Sequence, residues 1–204
     1  MRRGIEQRGP YRVVDRTTLH DRFNMALIHD KAENGDGNIH DYFWIDFEKD
    51  GVLVFALCEN GDIVMINEFS YAINKTELGV PGGSVETGQT VIESGFMEAF
   101  EEAGLQLDPE SVVYLGGVTS ISNRINHTNH LLLTRVIGNG EQHLDGKFEN
   151  ISLMRLPFDE ALEKAINGKI TSASVGLGLC RIQYFFNALE GFFSAQVSLV
   201  QKLK

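Results

Sequence analysis

The chain has 204 residues, with 18 Lys and Arg against 28 Asp and Glu, a formal net charge of −10, 43% hydrophobic and 23% charged residues. That length holds one large domain, or a catalytic domain with a small appended subdomain, and buries a core without staples. So acidic a chain lacks the broad basic face from which non-specific nucleic-acid binding draws most of its affinity, which argues against nucleic acid as the main partner. A phosphorylated ligand stays open, provided a metal ion bridges the two sets of negative charge.

The two cysteines, Cys58 and Cys180, both lie in apolar runs and read as reduced core thiols of a cytoplasmic protein. The N-terminal Met1-Arg2-Arg3-Gly4-Ile5 has charge but no apolar stretch behind it, so it is not read as a signal peptide. The longest apolar run, Val52 to Cys58, is far shorter than the ~20 residues a membrane helix needs, and no membrane partner is expected.

In chain order, Tyr11–Val14, Phe23–Asp30 and Asp41–Phe47 read as three strands, with Glu33–Asn38 as the turn between the last two. Val52–Leu57 and Ile63–Ile66 flank Asn60-Gly61, a strong hairpin signal, and their unbroken apolarity predicts strands covered on both faces. After Gly79-Val80-Pro81-Gly82-Gly83 comes a helical pattern from about Thr90 to Ala103, stopped by Gly104. Strands resume at Val112–Leu115, His130–Val136 and Ile151–Leu156, and helices follow at about Phe158–Asn167 and Ser174–Ala188. This hairpin-rich mixed order predicts an α+β fold rather than a doubly wound one.

The chemistry concentrates in Gly83–Leu105. On a helix Glu98, Glu101 and Glu102 stand at i, i+3 and i+4 and share one arc, with no Lys or Arg between Lys75 and Arg124 to compensate them. Spacing alone leaves two readings, a solvated acidic face or a site for a hard cation such as Mg²⁺ or Mn²⁺.

The same stretch resembles the Nudix box, G-x5-E-x7-R-E-U-x-E-E-x-G-U with U aliphatic. Gly83, Glu98, Ala99, Glu101, Glu102, Gly104 and Leu105 match in register, and Pro81-Gly82 is similar to the usual lead-in. The resemblance implies the Nudix fold, a mixed β-sheet sandwiched between helices, here with an N-terminal antiparallel strand extension. Residues 11–190 look most like the ADP-ribose and nucleoside diphosphate sugar pyrophosphatase branch, whose N-terminal strands exchange or pack across a homodimer. Expected divisions are a dimerising β extension over 1–47, the Nudix domain over 48–190 and a tail over 191–204.

The resemblance further implies that Glu98, Glu101 and Glu102, with the Gly82 carbonyl, hold Mg²⁺ or Mn²⁺. The metal would neutralise a diphosphate and activate water against phosphorus, releasing AMP and ribose 5-phosphate from ADP-ribose. The competing reading is a silent Nudix domain that binds a nucleotide as a sensor or partner module. A triphosphate house-cleaning hydrolase is a third.

Three departures bear on this. The box Glu and Arg that usually pair are Gln89 and Met97, a double change consistent with a replaced structural tie. The resemblance implies a catalytic base in or beside the 138–148 loop, where Glu149 is the first candidate, Glu141 and Asp145 are further acids, and Lys147 takes the base position in one register. A Gln-Tyr-Arg of the branch is Glu68-Phe69-Ser70 here, so Glu68 and Phe69 face substrate without a cation. Arg124, in Ser120–Arg124, either binds phosphate in its place or is a surface residue. His127 and His130 read as hairpin polar residues, and Gly176-Leu177-Gly178 as close helix packing.

Overall fold

The computed structural model describes residues 7–144 and 150–202, with side chains through residue 188. The chain divides into two compact units, Met1–Asp50 with Thr119–Thr128, and Gly51–Val118 with Asn129–Lys204.

The first unit is a five-stranded sheet of β1 (Gln7–Arg8), β2 (Tyr11–Arg22), β3 (Met25–Glu33), β4 (Ile39–Phe47) and, parallel to β4, the two-residue β11 (Ile125–Asn126). Period-two alternation on β3 buries Ala26, Ile28, Asp30 and Ala32 and leaves Leu27 and Lys31 exposed. The β3–β4 turn forms where expected. Asn34 Oδ1 accepts from the N–H groups of Asp36 and Asn38 (3.1 and 2.9 Å), and Gly37 supplies a φ of +81°.

The β2–β3 turn was not foreseen. Phe23, read as the start of a strand, instead sits at the hairpin tip with Asn24, at φ +53° and +59°. Positive φ at both turn residues matches the twist of a two-residue hairpin. No Gly marked the place, and β2 runs eight residues beyond Val14 to reach it.

The second unit is an eight-stranded mixed sheet. Its spine runs β10 (Val113–Val118), β12 (Asn129–Asn139), β5 (Gly51–Leu57), β6 (Asp62–Ser70), β13 (Ile151–Pro157). The short β7 (Lys75–Gly79), β8 (Gly82–Ser84) and β9 (Leu105–Leu107) pair with β6, β5 and β12 respectively. β5 and β6 are joined through the predicted Asn60-Gly61 turn, with Gly61 at φ +85°.

Apolarity on both faces has a direct explanation. Val52, Val54 and Ala56 pack with Val64, Leu132, Ala99 and Ala103 under α1 (Val91–Ala103). Their neighbours Phe55, Ile63, Met65, Leu131 and Leu133 pack with Phe158, Ala161, Val175, Leu179 and Ile182 of α2 (Phe158–Ile166) and α3 (Ala173–Lys202). The fold is therefore α+β, a mixed sheet covered by helices on both faces, preceded by antiparallel strands.

α3 continues to Lys202, well past Ala188 and through most of the stretch expected as a tail. Of the two glycines read as close helix packing, Gly178 is one: a Cβ there would lie 2.0 Å from Phe55 Cζ, so the helix meets the ring only without one, whereas a Cβ at Gly176 would make only an ordinary contact with Ala165 at 3.9 Å. Of the two cysteines read as core thiols, Cys58 is half-buried and Cys180 is exposed on α3; both are free.

Candidate active site

α1 begins at a capping box. Thr90 Oγ1 accepts from Glu93 N–H (3.2 Å) and Glu93 Oε2 accepts from Thr90 N–H (2.7 Å); the Thr90 backbone and hydroxyl bonds hold the Glu93 carboxyl below its ordinary range. The helix ends at Gly104, φ +63°, whose N–H reaches the carbonyls of Ala99 and Phe100. Both ends being fixed, Glu98, Glu101 and Glu102 are presented half-buried from one stripe of the last two turns.

That stripe meets β8. Gly82 N–H donates to Glu102 Oε2 at 2.8 Å. A Cβ on Gly83 would lie 2.2 Å from Glu98 Oε1 and 2.4 Å from its Cδ, so the Glu98 carboxylate rests in a hollow that only glycine leaves open. Gly82 is small for another reason: its Cβ would lie 2.2 Å from the Val52 carbonyl oxygen, against the β5 backbone. Pro81 joins the arrangement through its carbonyl, which accepts from Val54 N–H at 2.8 Å.

Among the described residues, no group of three or more His, Cys, Asp or Glu side chains is gathered closely enough to hold a metal ion. The donors nevertheless suit one kind of cation. Three carboxylates on one face, one seated in the Gly83 hollow, offer hard oxygen to Mg²⁺ or Mn²⁺ and nothing soft. A bound cation would draw them together, and would supply charge neutralisation and water activation there.

The two departures from the box prove to be partners. Gln89 Nε2 donates to Met97 Sδ at 3.8 Å, and Gln89 Oε1 accepts from Ser94 Oγ at 2.9 Å. Ser94, fully buried, accepts in turn from Glu86 N–H at 2.9 Å. A neutral network thus ties the loop before α1 to the helix. Ser94 carried no sequence signal beyond being polar on a buried face.

A second tie was not foreseen. Past β12 the chain folds back onto the C-terminal turn of α1. Gly140 N–H donates to Gly104 O (2.7 Å), His143 N–H to Glu101 O (2.7 Å), and Gln142 Nε2 to Glu102 O (2.6 Å). The His143 ring stacks on Phe100 at 5.1 Å between centroids. These bonds satisfy helix-end carbonyls that have no partner within the helix. They also anchor the loop carrying Glu141, which is exposed, to the residues that carry Glu101 and Glu102. Glu149, Asp145 and Lys147 lie outside the described residues.

Glu68 and Phe69 stand exposed at the end of β6, paired with Glu77 and Thr76 of β7. Arg124 belongs to the first unit, where its Nη1 donates to the Phe43 carbonyl at 3.1 Å. His127 packs on Phe47, and His130 Nδ1 hydrogen-bonds Tyr114 Oη at 2.8 Å, so each has a local structural partner.

The sequence model of the NUDIX domain matches residues 48–173, more than half of the chain. The chain belongs to the Nudix family. A structure described as "Crystal structure of ADP compounds hydrolase" superimposes with a TM-score of 0.77 at 12% sequence identity, covering 90% of this chain and 98% of that one, which shows a shared fold. No curated protein matches the chain in sequence. Among the described residues no helix is long and apolar enough to cross a membrane.

Proposed function

We propose that the chain is a divalent-metal-dependent pyrophosphatase that splits the diphosphate of a nucleoside diphosphate derivative, ADP-ribose or another nucleotide sugar, into a nucleoside monophosphate and a sugar phosphate. The observation carrying this is the setting of Glu98 and Glu102 against Gly83 and Gly82, on the helix face they share with Glu101. A repulsive trio of carboxylates has little reason to be held on one face unless a cation joins it. The ADP compounds hydrolase with the same fold supports the choice of substrate class.

In this reading Glu98, Glu101 and Glu102 hold Mg²⁺ or Mn²⁺ with the Gly82 carbonyl, Glu101 and Glu102 serve the chemistry, and Glu149 is the base. Glu68, Phe69 and Arg124 contact substrate. The protein works in the cytoplasm as a homodimer through its N-terminal strands, with neither nucleic acid nor membrane as partner.

Ser70, where the related branch carries a cation, favours one other reading, a nucleotide-binding Nudix domain with little turnover. Phosphate-containing products from nucleoside diphosphate sugars, dinucleotides and triphosphates, with Mg²⁺ and then Mn²⁺, decide between the two. Turnover abolished by Glu101→Gln and by Glu102→Gln is the expected result. No turnover above those variants, with nucleotide still raising the melting temperature, establishes the binding module.

A further inference from the structure

Past β12 the chain crosses the end of α1 as a strap, residues 140–143, and its three hydrogen bonds to that end all run in one direction. Gly140 N–H, Gln142 Nε2 and His143 N–H donate to the carbonyls of Gly104, Glu102 and Glu101. The close approach is built in. A Cβ at Gly104 would lie 2.5 Å from the Gly140 carbonyl oxygen and 2.8 Å from that of Glu141, so the strap seats only over glycine. The last turn of α1 carries no basic residue, and these N–H groups answer the negative end of the helix in its place.

Two of the three bonds come from backbone and form with any residue at those positions. The third depends on a side chain. Gln142 is exposed, and a Lys or Arg is a common donor to the last carbonyls of a helix. A cation there would stand beside Glu101 and Glu102 and compete with a metal ion for them, whereas an amide supplies the N–H without charge.

The target of that amide sets it apart from an ordinary helix cap. Glu102 accepts from Gly82 N–H through its carboxylate (2.8 Å) and from Gln142 through its carbonyl (2.6 Å), so the residue is held at both ends, by β8 and by the strap. The His143 bond to the Glu101 carbonyl, with the His143 ring 5.1 Å from that of Phe100, fixes the neighbouring peptide. A ligand set tolerates displacements of only about 0.5 Å, and the end of a helix is where fraying is greatest.

We infer that Gln142 is a positioning residue: through the Glu102 carbonyl it holds the end of α1 in the conformation that binds a divalent cation. The assignment rests on the metal-dependent reading of Glu98, Glu101 and Glu102. It adds to them a residue outside the box, 40 positions along the chain from the glutamate it holds.

The test titrates the full-length protein with Mn²⁺ alone, reading the free ion by electron paramagnetic resonance, beside thermal melts without metal. Gln142→Met keeps the length of the side chain and removes the donor, and it weakens Mn²⁺ binding by ~3–10-fold, in line with the net worth of one hydrogen bond that supports a ligand. Gln142→Asn, one methylene too short for the wild-type reach, shows the same loss and separates it from any effect of the Met side chain. Gln183→Met removes another exposed glutamine bond, to Asn187 Oδ1 at 2.7 Å on α3, and binds Mn²⁺ as wild type does. Both Met variants melt within ~4 °C of wild type without metal. Wild-type affinity in either Gln142 variant overturns the inference, as does an equal loss in Gln183→Met. Wild-type protein that binds Mn²⁺ no better than Glu101→Gln overturns the metal-dependent reading along with it, whereas binding lost in Glu101→Gln and untouched at Gln142 overturns this inference alone.

Discussion

Two adjacent glycines, Gly82 and Gly83, make opposite predictions although both forbid a Cβ at 2.2 Å. In Gly83→Ala the new methyl meets the end of a flexible side chain, the Glu98 carboxylate, which can rotate away at a rotamer cost of ~0.5–1.5 kcal/mol. At ~2–4 °C per kcal/mol for a chain of this size, the melting temperature falls by about 1–6 °C. What is lost is the seat of Glu98, so the metal response and turnover fall by ~10–100-fold, as when a ligand's supporting contact is removed. In Gly82→Ala the methyl meets the Val52 carbonyl and the Leu53 Cα at 3.0 Å, backbone of a strand in the middle of the sheet. Relief then requires β5 and β8 to part, at ~1–3 kcal/mol or more and about 2–12 °C. The assays are thermal melts with and without Mn²⁺, alongside hydrolysis of a nucleoside diphosphate sugar. The reasoning fails if Gly83→Ala keeps the wild-type Mn²⁺ response, or if it destabilises as much as Gly82→Ala.

Gln89→Glu removes the amide donor to Met97 and costs ~0.5–1 kcal/mol in thermal or urea melts, while adding Met97→Arg restores most of it; equal midpoints for the two variants refute the tie. Asp30 is pushed up by burial, but its bonds from Arg16 and Trp44 and the charges of Arg16 and Arg8 together hold it below its ordinary value of 3.8. Its contribution is therefore complete above that value and lost as pH falls below it, so wild-type stability drops under about pH 4, and in Asp30→Asn this step is missing. That variant also removes the buried bidentate carboxylate partner of Arg16, 11% exposed at its side chain, at a cost of ~3–5 kcal/mol at neutral pH in urea unfolding. Gly178→Ala drives a methyl into the Phe55 ring and lowers stability by ~1–3 kcal/mol, read in the same melts; an unchanged midpoint shows that α3 can shift.

What the sequence revealed was what short-range chemistry dictates. The helical pattern from about Thr90, Gly104 as its end, Asn60-Gly61 as a hairpin, and the apolar runs of β5 and β6 as a covered sheet were all readable, whereas the Thr90–Glu93 capping box that starts the helix was not picked out. The box residues could be placed for the same reason, since helix geometry alone puts Glu98, Glu101 and Glu102 on one face. What stayed hidden depends on distant partners. Ile125 and Asn126 are a strand only because β4 lies beside them, and the three-residue β8 only because β5 does. The Gln142 and His143 tie involves residues some 40 positions from the carbonyls they reach, with no periodicity to announce it. Arg124 was legible as a cation but not as part of a cavity, whose walls come from separated stretches of chain.

The Gln89–Met97 replacement bears on whether the site works. A charged residue at either position alone would sit beside a partner unable to answer it, and the loop would loosen from α1. Here the pair has changed together, and Ser94 extends the contact to the Glu86 backbone, so the tie survives without charge. The loop preceding α1 is thus held by Gln89, next to the helix start, while the helix is held at its end by Gln142 and His143. Between these two clamps lie all three glutamates of the stripe. Loss of the familiar ion pair therefore removes a charge pair from the structure without removing the restraint it provided, and it weighs little against catalysis. The opposing weight falls on the glutamates themselves, whose side chains, among the described residues, are not gathered closely enough to hold a metal ion. For that reason the Mn²⁺ response of Gly83→Ala discriminates more sharply than any change at Gln89 or Met97: it perturbs the seat of one carboxylate while leaving both clamps in place.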